Sequence, residues 1–205
     1  MTQIKLTKNE LRDQQLKLAQ LERYLPTLQL KKALLQTEVN NAEAELAALE
    51  TRAAKQKQLI SDFAKLLSHN HLSDLIDAVA ITEVKVRTEN IAGVEIPLYE
   101  DTFFREADYS LFDTPLWLDS AVNRFRALFS TLKEIQTVET KKALLQKELR
   151  DVSIRVNLFE KILIPRSKAN IKKIKVFLGD QQLSAVAQAK VAKTKIDARK
   201  KEAIA

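Results

Sequence analysis

Apolar residues recur at alternating spacings of three and four positions over residues 1–70. The heptad core positions are Leu11, Gln14, Leu18, Leu21, Leu25, Leu28, Lys32, Leu35, Val39, Ala42, Leu46, Leu49, Ala53, Gln56, Ile60, Phe63 and Leu67. All except Gln14, Lys32 and Gln56 are apolar, and the positions between them are mostly Lys, Glu, Gln, Asn and Arg. An ideal helix drifts by about 20° per heptad, so a repeat sustained over this length indicates a coiled-coil helix.

A second stripe occupies the C-terminal part of the chain. Its members are Phe125, Leu128, Leu132, Ile135, Val138, Lys142, Leu145, Leu149, Val152, Val156, Phe159 and Leu163, followed by Ile171, Ile174 and Leu178 before it weakens past Gly179. The two helices can fold back antiparallel and bury both stripes, although a parallel homodimer would bury the same residues. We expect Pro26 to kink the first helix without ending it and Pro165 to bend the second. The polar core residues Gln14, Lys32 and Gln56 either fix the register or are tolerated because long side chains reach solvent.

The middle of the chain predicts a short β-hairpin. Apolar and polar residues alternate on both sides of Asn90-Ile91-Ala92-Gly93, first over Thr82–Glu89 and again after the glycine. Two alternating runs around an Asn- and Gly-containing connection are typical of a hairpin, here over about residues 82–99. Pro97 is acceptable in this position because it would lie on an edge strand.

Short helices are expected on both sides of this hairpin, over Ser73–Ile81 and around Trp117–Asn123. Asp113-Thr114-Pro115 resembles a helix start, with Thr114 as the cap and Pro115 at the first helical position. We therefore predict an all-α fold: a long antiparallel two-helix coiled coil with a small central segment that contains a short β-hairpin and short helices. The predicted divisions are an N-terminal helix over 1–70, a central segment over 71–120 and a C-terminal helix over 121–205.

The composition excludes several classes of fold and site. The 205 residues include only two glycines and no cysteine. Few glycines argue against Gly-rich phosphate loops and many tight turns, and therefore against a doubly wound nucleotide-binding fold or a multi-stranded sandwich. The absence of cysteine excludes disulfides and thiolate sites. The longest uncharged run, Gln181–Ala189, is too short to cross a bilayer, and the polar start from Thr2 leads us to expect no secretory signal.

Motifs for catalysis or cofactor binding are missing from the sequence, which has no Walker A loop, no GxGxxG and no HExxH. A His-x-His pair such as His69 and His71 can bind a metal on a strand, with Asp74 as the one nearby further ligand. This stretch is typical of a helix end, however, where the helix dipole favours histidine. We therefore expect no catalytic residue, no cofactor and no metal site.

Charge is distributed unevenly along the chain. There are 34 basic and 27 acidic residues, a net charge of +7. Residues 95–119 include seven acidic residues and one basic residue, whereas the C-terminal helix is basic. The clustered cations are Lys161, Arg166, Lys168, Lys172, Lys173, Lys175, Lys190, Lys193, Lys195, Arg199, Lys200 and Lys201. Contact with a nucleic-acid backbone is one interpretation, but no aromatic residues interleave and the cations fall all round the helix. An acidic partner surface explains them at least as well.

Several local strings go beyond periodicity. They are Lys5-Leu6-Thr7-Lys8, Leu30-Lys31-Lys32-Ala33-Leu34-Leu35, Asn90-Ile91-Ala92-Gly93-Val94, Asp113-Thr114-Pro115-Leu116-Trp117, Arg155-Val156-Asn157-Leu158-Phe159-Glu160, Leu163-Ile164-Pro165-Arg166 and Ile171-Lys172-Lys173-Ile174. Together and in this order they resemble the D subunit of the V-type ATPases and ATP synthases, in the form that some bacteria carry. The resemblance runs from about Ile4 to Arg199. Its specific part is Arg155–Arg166, whereas the leucine stripes are shared by many coiled coils.

The resemblance implies a central rotor shaft, whose terminal helices form an antiparallel coiled coil inside the ring of catalytic and regulatory nucleotide-binding subunits. It implies that the middle segment is where the small F subunit of the stalk docks, and that a funnel-like subunit beneath links the shaft to the membrane rotor. The chain would transmit torque as a non-catalytic subunit and couple ATP synthesis or hydrolysis to ion movement. It would lie on the cytoplasmic face of the cell membrane, without membrane insertion and without a nucleic-acid partner.

Candidate contact residues follow from this interpretation. In the basic helix they are Lys190, Lys193, Lys195 and Arg199, and in the hairpin they are Ile91, Gly93 and Val94. A further set, expected to serve packing at the bend, is Arg155, Asn157, Glu160, Pro165 and Arg166. The tail after Lys201 is shorter than in longer relatives, so no contact of an extended C-terminus is implied. The alternative functions are a basic coiled-coil arm that binds nucleic acid and a homodimeric coiled-coil scaffold.

Overall fold

The computed structural model describes residues 4–64, 72–106, 115 and 117–202. Its elements in chain order are α1 (Lys8–Ala64), α2 (Leu72–Val79), β1 (Ile81–Ile91), β2 (Val94–Phe104), α3 (Trp117–Leu158), a π-helical turn (Phe159–Leu163) and α4 (Ile164–Glu202). In this part of the chain the two strands form one antiparallel sheet and the rest is largely helical, which confirms the predicted fold class. The predictions for Leu67, His69, His71, Asp113 and Thr114, and for the Phe63 side chain, lie outside the described residues.

The chain forms two compact units. The terminal unit comprises Met1–Leu30 and Ser153–Ala205, and the central unit comprises Lys31–Val152. Each unit therefore combines a piece of α1 with a piece of the C-terminal helical region. The division of the chain at residues 70 and 120 stays a prediction.

The heptad stripe of α1 is the buried face of this helix. Every core position from Leu11 to Ile60 is buried or half-buried, whereas nearly all positions between them are exposed. The helix begins after Thr7, whose Oγ1 accepts a hydrogen bond from the Glu10 N–H at 3.3 Å, and it continues through Pro26 as predicted. Long helices in water depend on such tertiary burial more than on local propensity, so the stripe is the main stabilising feature of α1.

In the central unit, α3 packs antiparallel against α1. The buried apolar side chains are Leu35, Val39, Ala42, Leu49, Ala53 and Ile60 on α1 and Leu128, Val138, Leu145 and Val152 on α3. Ion pairs join Lys31 to Glu148 at 2.7 Å, Glu43 to Lys142 at 3.1 Å and Glu45 to Lys141 at 3.0 Å. The residue number falls along α3 as it rises along α1, which confirms the antiparallel order. Because these pairs are partly exposed, each contributes at most about 1 kcal/mol, and the apolar stripe contributes most of the stability.

The terminal unit shows the same pairing between the start of α1 and the start of α4. Its buried apolar residues are Leu21, Val156, Ile164, Ile171 and Ile174. Lys168 pairs with Glu22 at 2.9 Å, and Asn170 Nδ2 donates a hydrogen bond to Gln14 Oε1 at 3.4 Å. Gln14 therefore makes a polar contact between the helices, which supports the interpretation that it fixes their register.

The other two polar core residues lie in the central unit. Lys32 is half-buried, and Gln56 Oε1 is buried with no hydrogen-bond partner in the part of the chain that the structure describes. A buried oxygen without a partner costs about 1–3 kcal/mol, so Gln56 lowers the stability of the helix pair. A register role for these two residues stays a prediction.

Helical hydrogen bonding changes directly before Pro165. The π-helical turn occupies Phe159–Leu163, and the Ile164 N–H donates to the Phe159 carbonyl five residues back. Proline has no N–H for the carbonyl of Lys161 and its ring crowds that carbonyl in a regular α-helix. A π-turn relieves this conflict without ending the helix. A bend of the helix at Pro165 stays a prediction.

The hairpin is longer than the sequence pattern predicted. It covers Ile81–Phe104 rather than about 82–99, and α2 ends at Val79, so Ile81 begins β1 instead of ending the preceding helix. The connection is the two-residue turn Ala92-Gly93, because Asn90 and Ile91 pair with Glu95 and Val94. Both faces of a two-stranded ribbon can be solvated, so backbone pairing extends past the point where apolar alternation stops.

Candidate partner-contact surfaces

The hairpin tip is a tight turn with two residues in the left-handed region. Ala92 and Gly93 have φ values of 53° and 82°, as a type I′ turn requires. Asn90 Oδ1 accepts a hydrogen bond from the Gly93 N–H at 2.9 Å. Ile91 and Val94 lie opposite each other across the strands and are half-buried. The structure therefore brings the predicted contact residues Ile91, Gly93 and Val94 together in one small, mostly apolar surface.

Arg126 of α3 joins the base of the hairpin to α2. Its Nε and Nη2 donate to the Ala78 carbonyl at 2.9 and 2.7 Å, and Nη2 also donates to the Arg105 carbonyl at 2.7 Å. The guanidinium carbon lies 5.5 Å from the centroid of the Phe104 ring. Ala78 is in the last turn of α2, where carbonyls have no partner inside the helix and a cation is favoured. We call Arg126, Ala78, Arg105 and Phe104 the Arg126 clamp.

An apolar groove with a cavity volume of about 200 Å³ lies between α2 and α3. Its lining is Leu75, Ile76, Val79, Phe125 and Phe129, and the two phenylalanine rings stack with their centroids 6.5 Å apart. Ile76 is 62% exposed, which is high for a large apolar side chain beside a core cluster. Exposed apolar side chains grouped around a groove are typical of a docking surface for another protein.

The part of α4 from Asp180 to Arg199 is the exposed segment. Every side chain that the structure describes between Asp180 and Arg199 is exposed, including the predicted contacts Lys190, Lys193, Lys195 and Arg199. The apolar residues here are exposed as well: Leu183, Val186, Val191 and Ile196. At 100° per residue both sets fall all round the helix, so the segment has no single apolar face. It suits a partner that surrounds it better than one flat surface.

The predicted bend motif lies around the π-helical turn. Its five members, all at least partly exposed, are Arg155, Asn157, Glu160, Pro165 and Arg166. Val156 and Ile164, which lie between them in the sequence, are buried and make the interhelical contact. The motif thus presents polar groups to solvent while its apolar neighbours pack. A packing role for the five residues themselves stays a prediction.

Two classes of site have no representative in residues 4–64, 72–106, 115 and 117–202. None of the helices there has a stretch long and apolar enough to cross a membrane. No group of three His, Asp or Glu side chains there is arranged to hold a metal ion.

Similarity to known proteins covers nearly the whole chain. Residues 10–194 match the sequence pattern of the family described as the ATP synthase D subunit. The D subunit of the V-type ATP synthase of Chlamydia felis is 45% identical over an alignment of 205 positions, which covers 98% of this chain and 97% of that protein. The same subunit of Chlamydia trachomatis serovar L2 is 45% identical over an alignment of 203 positions, which covers 97% of this chain and 98% of that protein. The chain belongs to the D-subunit family of V-type ATP synthases.

Membership of the D-subunit family makes these surfaces candidates for contacts inside a V-type ATP synthase. The sequence pattern anticipated the hairpin tip and the cations of α4 but missed the Arg126 clamp and the apolar groove. Phe125 and Phe129 are four residues apart, the spacing at which side chains meet on a helix, and this was the one available signal for the groove. Nothing in the sequence distinguishes Arg126 from the other charged residues of these helices.

Proposed function

We propose that this chain is the central-stalk rotor subunit of a V-type ATP synthase, transmitting torque between the nucleotide-binding ring and the ion-translocating rotor in the membrane. The observation that carries the proposal is the pairing of helices within each unit. Two antiparallel segments bury a common stripe and are joined by polar contacts such as Lys142–Glu43 and Lys168–Glu22. Twisting one helix against the other would expose the stripe to water, so the pair resists torsion.

In this proposal the chain carries no catalysis of its own. Nucleotide binding, hydrolysis and synthesis belong to the catalytic and regulatory subunits of the ring. The outward positions of α1 are mainly Lys, Glu, Gln and Arg and are exposed. Contacts of such side chains with a surrounding protein are weak and screened by salt, so they break readily as the shaft turns.

The exposed segment of α4 is proposed to lie inside the ring. A helix whose apolar and cationic side chains point in all directions is best covered by a surface that encloses it. Lys190, Lys193, Lys195 and Arg199 would face acidic groups of the ring subunits and favour particular rotary positions. The many exposed apolar residues of the same segment would lose contact with water there.

The central unit is proposed to hold the contacts on the membrane side. The hairpin tip, with Ile91, Gly93 and Val94, would contact the small F subunit of the stalk. The apolar groove between α2 and α3 would take an apolar side chain of the funnel-like subunit that leads to the membrane rotor. The whole assembly would then lie at the cytoplasmic face of the cell membrane, with no nucleic-acid partner and no membrane insertion by this chain.

A parallel homodimer has less support, because the stripe that it would use is already covered within the chain in both units. A nucleic-acid arm has less support because the cations of the exposed segment form no single stripe that could follow a phosphate backbone.

Direct observation of rotation tests the proposal. Because the sequence contains no cysteine, a Glu89→Cys substitution in the exposed part of β1 provides a single attachment point for a bead. In a complex reconstituted with the other subunits of a V-type ATP synthase and fixed to glass by its ring, ATP should turn the bead in one direction.

The matched control adds Ser184→Cys in the exposed segment, cross-linked to a cysteine in the ring. Rotation should stop on cross-linking and resume on reduction. A bead that stays still while the uncross-linked ring hydrolyses ATP would contradict the rotor function.

A further inference from the structure

A polar pocket with a volume of about 490 Å³ lies in the terminal unit, between the start of α1 and the start of α4. Three cationic side chains line it, Lys5, Lys17 and Arg166, against the single carboxylate of Glu10. All three cations are exposed residues, so they stand around the mouth of the pocket. The local charge is therefore clearly positive, although these residues lie far apart in the sequence.

The wall of the pocket contains the hydroxyl group of Ser167, which has no partner among the residues that the structure describes. Ser167 is only 5% exposed, lines the pocket and makes no hydrogen bond to any residue that the structure describes. The other polar groups of this wall are paired: Gln14 Nε2 donates to Glu10 Oε1 at 2.9 Å, and Asn170 Nδ2 donates to Gln14 Oε1 at 3.4 Å. The Ser167 hydroxyl is therefore free to donate a hydrogen bond to a molecule that occupies the pocket.

We propose that this pocket binds a free inorganic phosphate or pyrophosphate anion. Arg166 offers a planar fork of donors that matches phosphate oxygens, Lys5 and Lys17 add point charges, and the Ser167 hydroxyl donates from the wall of the pocket. The charge of Glu10 is partly engaged by Gln14, which leaves the cations to the ligand. The volume is within the range of small-molecule sites. This inference concerns the terminal unit alone and does not depend on the rotor function.

The π-helical turn contributes to the site through the position of the residues that follow it. Leu163, its last residue, lines the pocket, and Arg166 and Ser167 come directly after Pro165. An extra residue in a helical turn rotates everything that follows relative to the preceding stripe. The exposed Arg166 and the buried Ser167 can therefore both reach one pocket, while Ile164 remains in the interhelical core.

Calorimetric titration of the full-length chain tests the proposal, with sodium pyrophosphate and sodium phosphate as probes at fixed ionic strength. The wild-type chain should bind one pyrophosphate saturably. Arg166→Gln should weaken binding at least tenfold, and Ser167→Ala should weaken it several-fold. Glutamine and alanine both favour helix, so these variants should keep the circular dichroism of the wild type.

Matched controls separate the pocket from general attraction to a basic chain. Lys173→Gln removes one exposed cation from the same helix, and Ser184→Ala removes one exposed hydroxyl, both outside the pocket lining. These variants should bind pyrophosphate within twofold of the wild type. Equal weakening by Lys173→Gln and Arg166→Gln would overturn the proposal, and so would the absence of saturable binding.

Discussion

The helix pair of the central unit and the exposed segment of α4 are both helical, but the apolar stripe is buried in the first and the apolar side chains are exposed in the second. In the central unit, Leu35 and Leu145 are fully buried and the lysines beside them reach carboxylates of the facing helix. In the exposed segment, Leu183 is 71% exposed. Both regions are helical and rich in Lys and Ala. The difference shows that a similar composition favours helix in both regions, whereas the contacts of each helix face determine whether its apolar side chains are buried.

Burial matters to both regions because an isolated helix is only marginally stable in water. An isolated helix gains little from its backbone hydrogen bonds, and most helical stability in proteins comes from burial of one face. An enclosing partner would therefore stabilise the helix of the exposed segment, whereas in the central unit the facing helix already buries the apolar stripe. In the proposed complex, the ring would bury the apolar side chains of the exposed segment, as α1 buries those of α3.

The largest expected effect separates the two regions by stability. Leu145→Ala should lower the free energy of unfolding by about 2–5 kcal/mol, because it removes a fully buried side chain and leaves a cavity. Leu183→Ala, the same chemical change in the exposed segment, should alter it by less than about 0.5 kcal/mol. Urea unfolding followed by circular dichroism measures both. Similar losses in the two variants would show that the exposed segment is covered in the isolated chain.

A smaller loss in the free energy of unfolding is expected at Arg126, which joins three elements of the central unit. Arg126→Gln removes the charged donors from the carbonyls of Ala78 and Arg105 and should cost about 2 kcal/mol. Hydrogen exchange should show faster opening at the end of α2 and the base of the hairpin than along the α1–α3 pair. Lys147→Gln, at an exposed position of α3, is the control and should leave exchange unchanged. Uniform acceleration over the whole unit would argue against a local clamp.

The smallest effect on stability belongs to the exposed cations. Replacing Lys190, Lys193 and Lys195 by Gln should change the unfolding free energy by less than about 0.5 kcal/mol. The same triple variant should change the torque or the dwell times of rotation, because the proposed attraction to acidic ring surfaces is lost. Rotation indistinguishable from the wild type would remove the proposed role of these lysines.

The control for the lysine variant uses equally exposed cations from the paired part of α4. Lys172, Lys173 and Lys175 are exposed beside the buried Ile171 and Ile174. Their replacement by Gln changes the net charge by the same amount. If both triple variants alter rotation equally, net charge rather than the position of the cations decides the effect.

Much of the fold was predictable because its determinants are local. The heptad stripe of α1 and its continuation through Pro26 follow from a period that neighbouring residues share. The turn at Gly93 follows from the few residues that tolerate positive φ. The ends of the elements were less predictable, as Ile81 shows: its apolar side chain suits the end of a helix as well as the start of a strand, and only pairing with Phe104 decides between them.

The candidate surfaces also differ in whether the sequence alone predicts them. The cations of the exposed segment and the hairpin tip are visible in the sequence because they depend on charge and turn chemistry along one stretch. The Arg126 clamp is not, since its hydrogen bonds join residues 48 and 21 positions apart in the chain. The pocket around Ser167 likewise needs α1 to lie against α4.

The sequence by itself determined that this chain forms long helices with one apolar stripe each, carries a hairpin between them and resembles the D subunits of V-type ATP synthases. Periodicity, turn preferences and family strings are all properties of short stretches. Only the tertiary structure decided that the stripes cover each other within one chain, that Arg126 caps α2 and that Ser167 faces a cationic pocket. Such contacts depend on the register between segments that are distant in the chain. The burial of whole helix faces sets this register, so it cannot be predicted from any single stretch of the sequence.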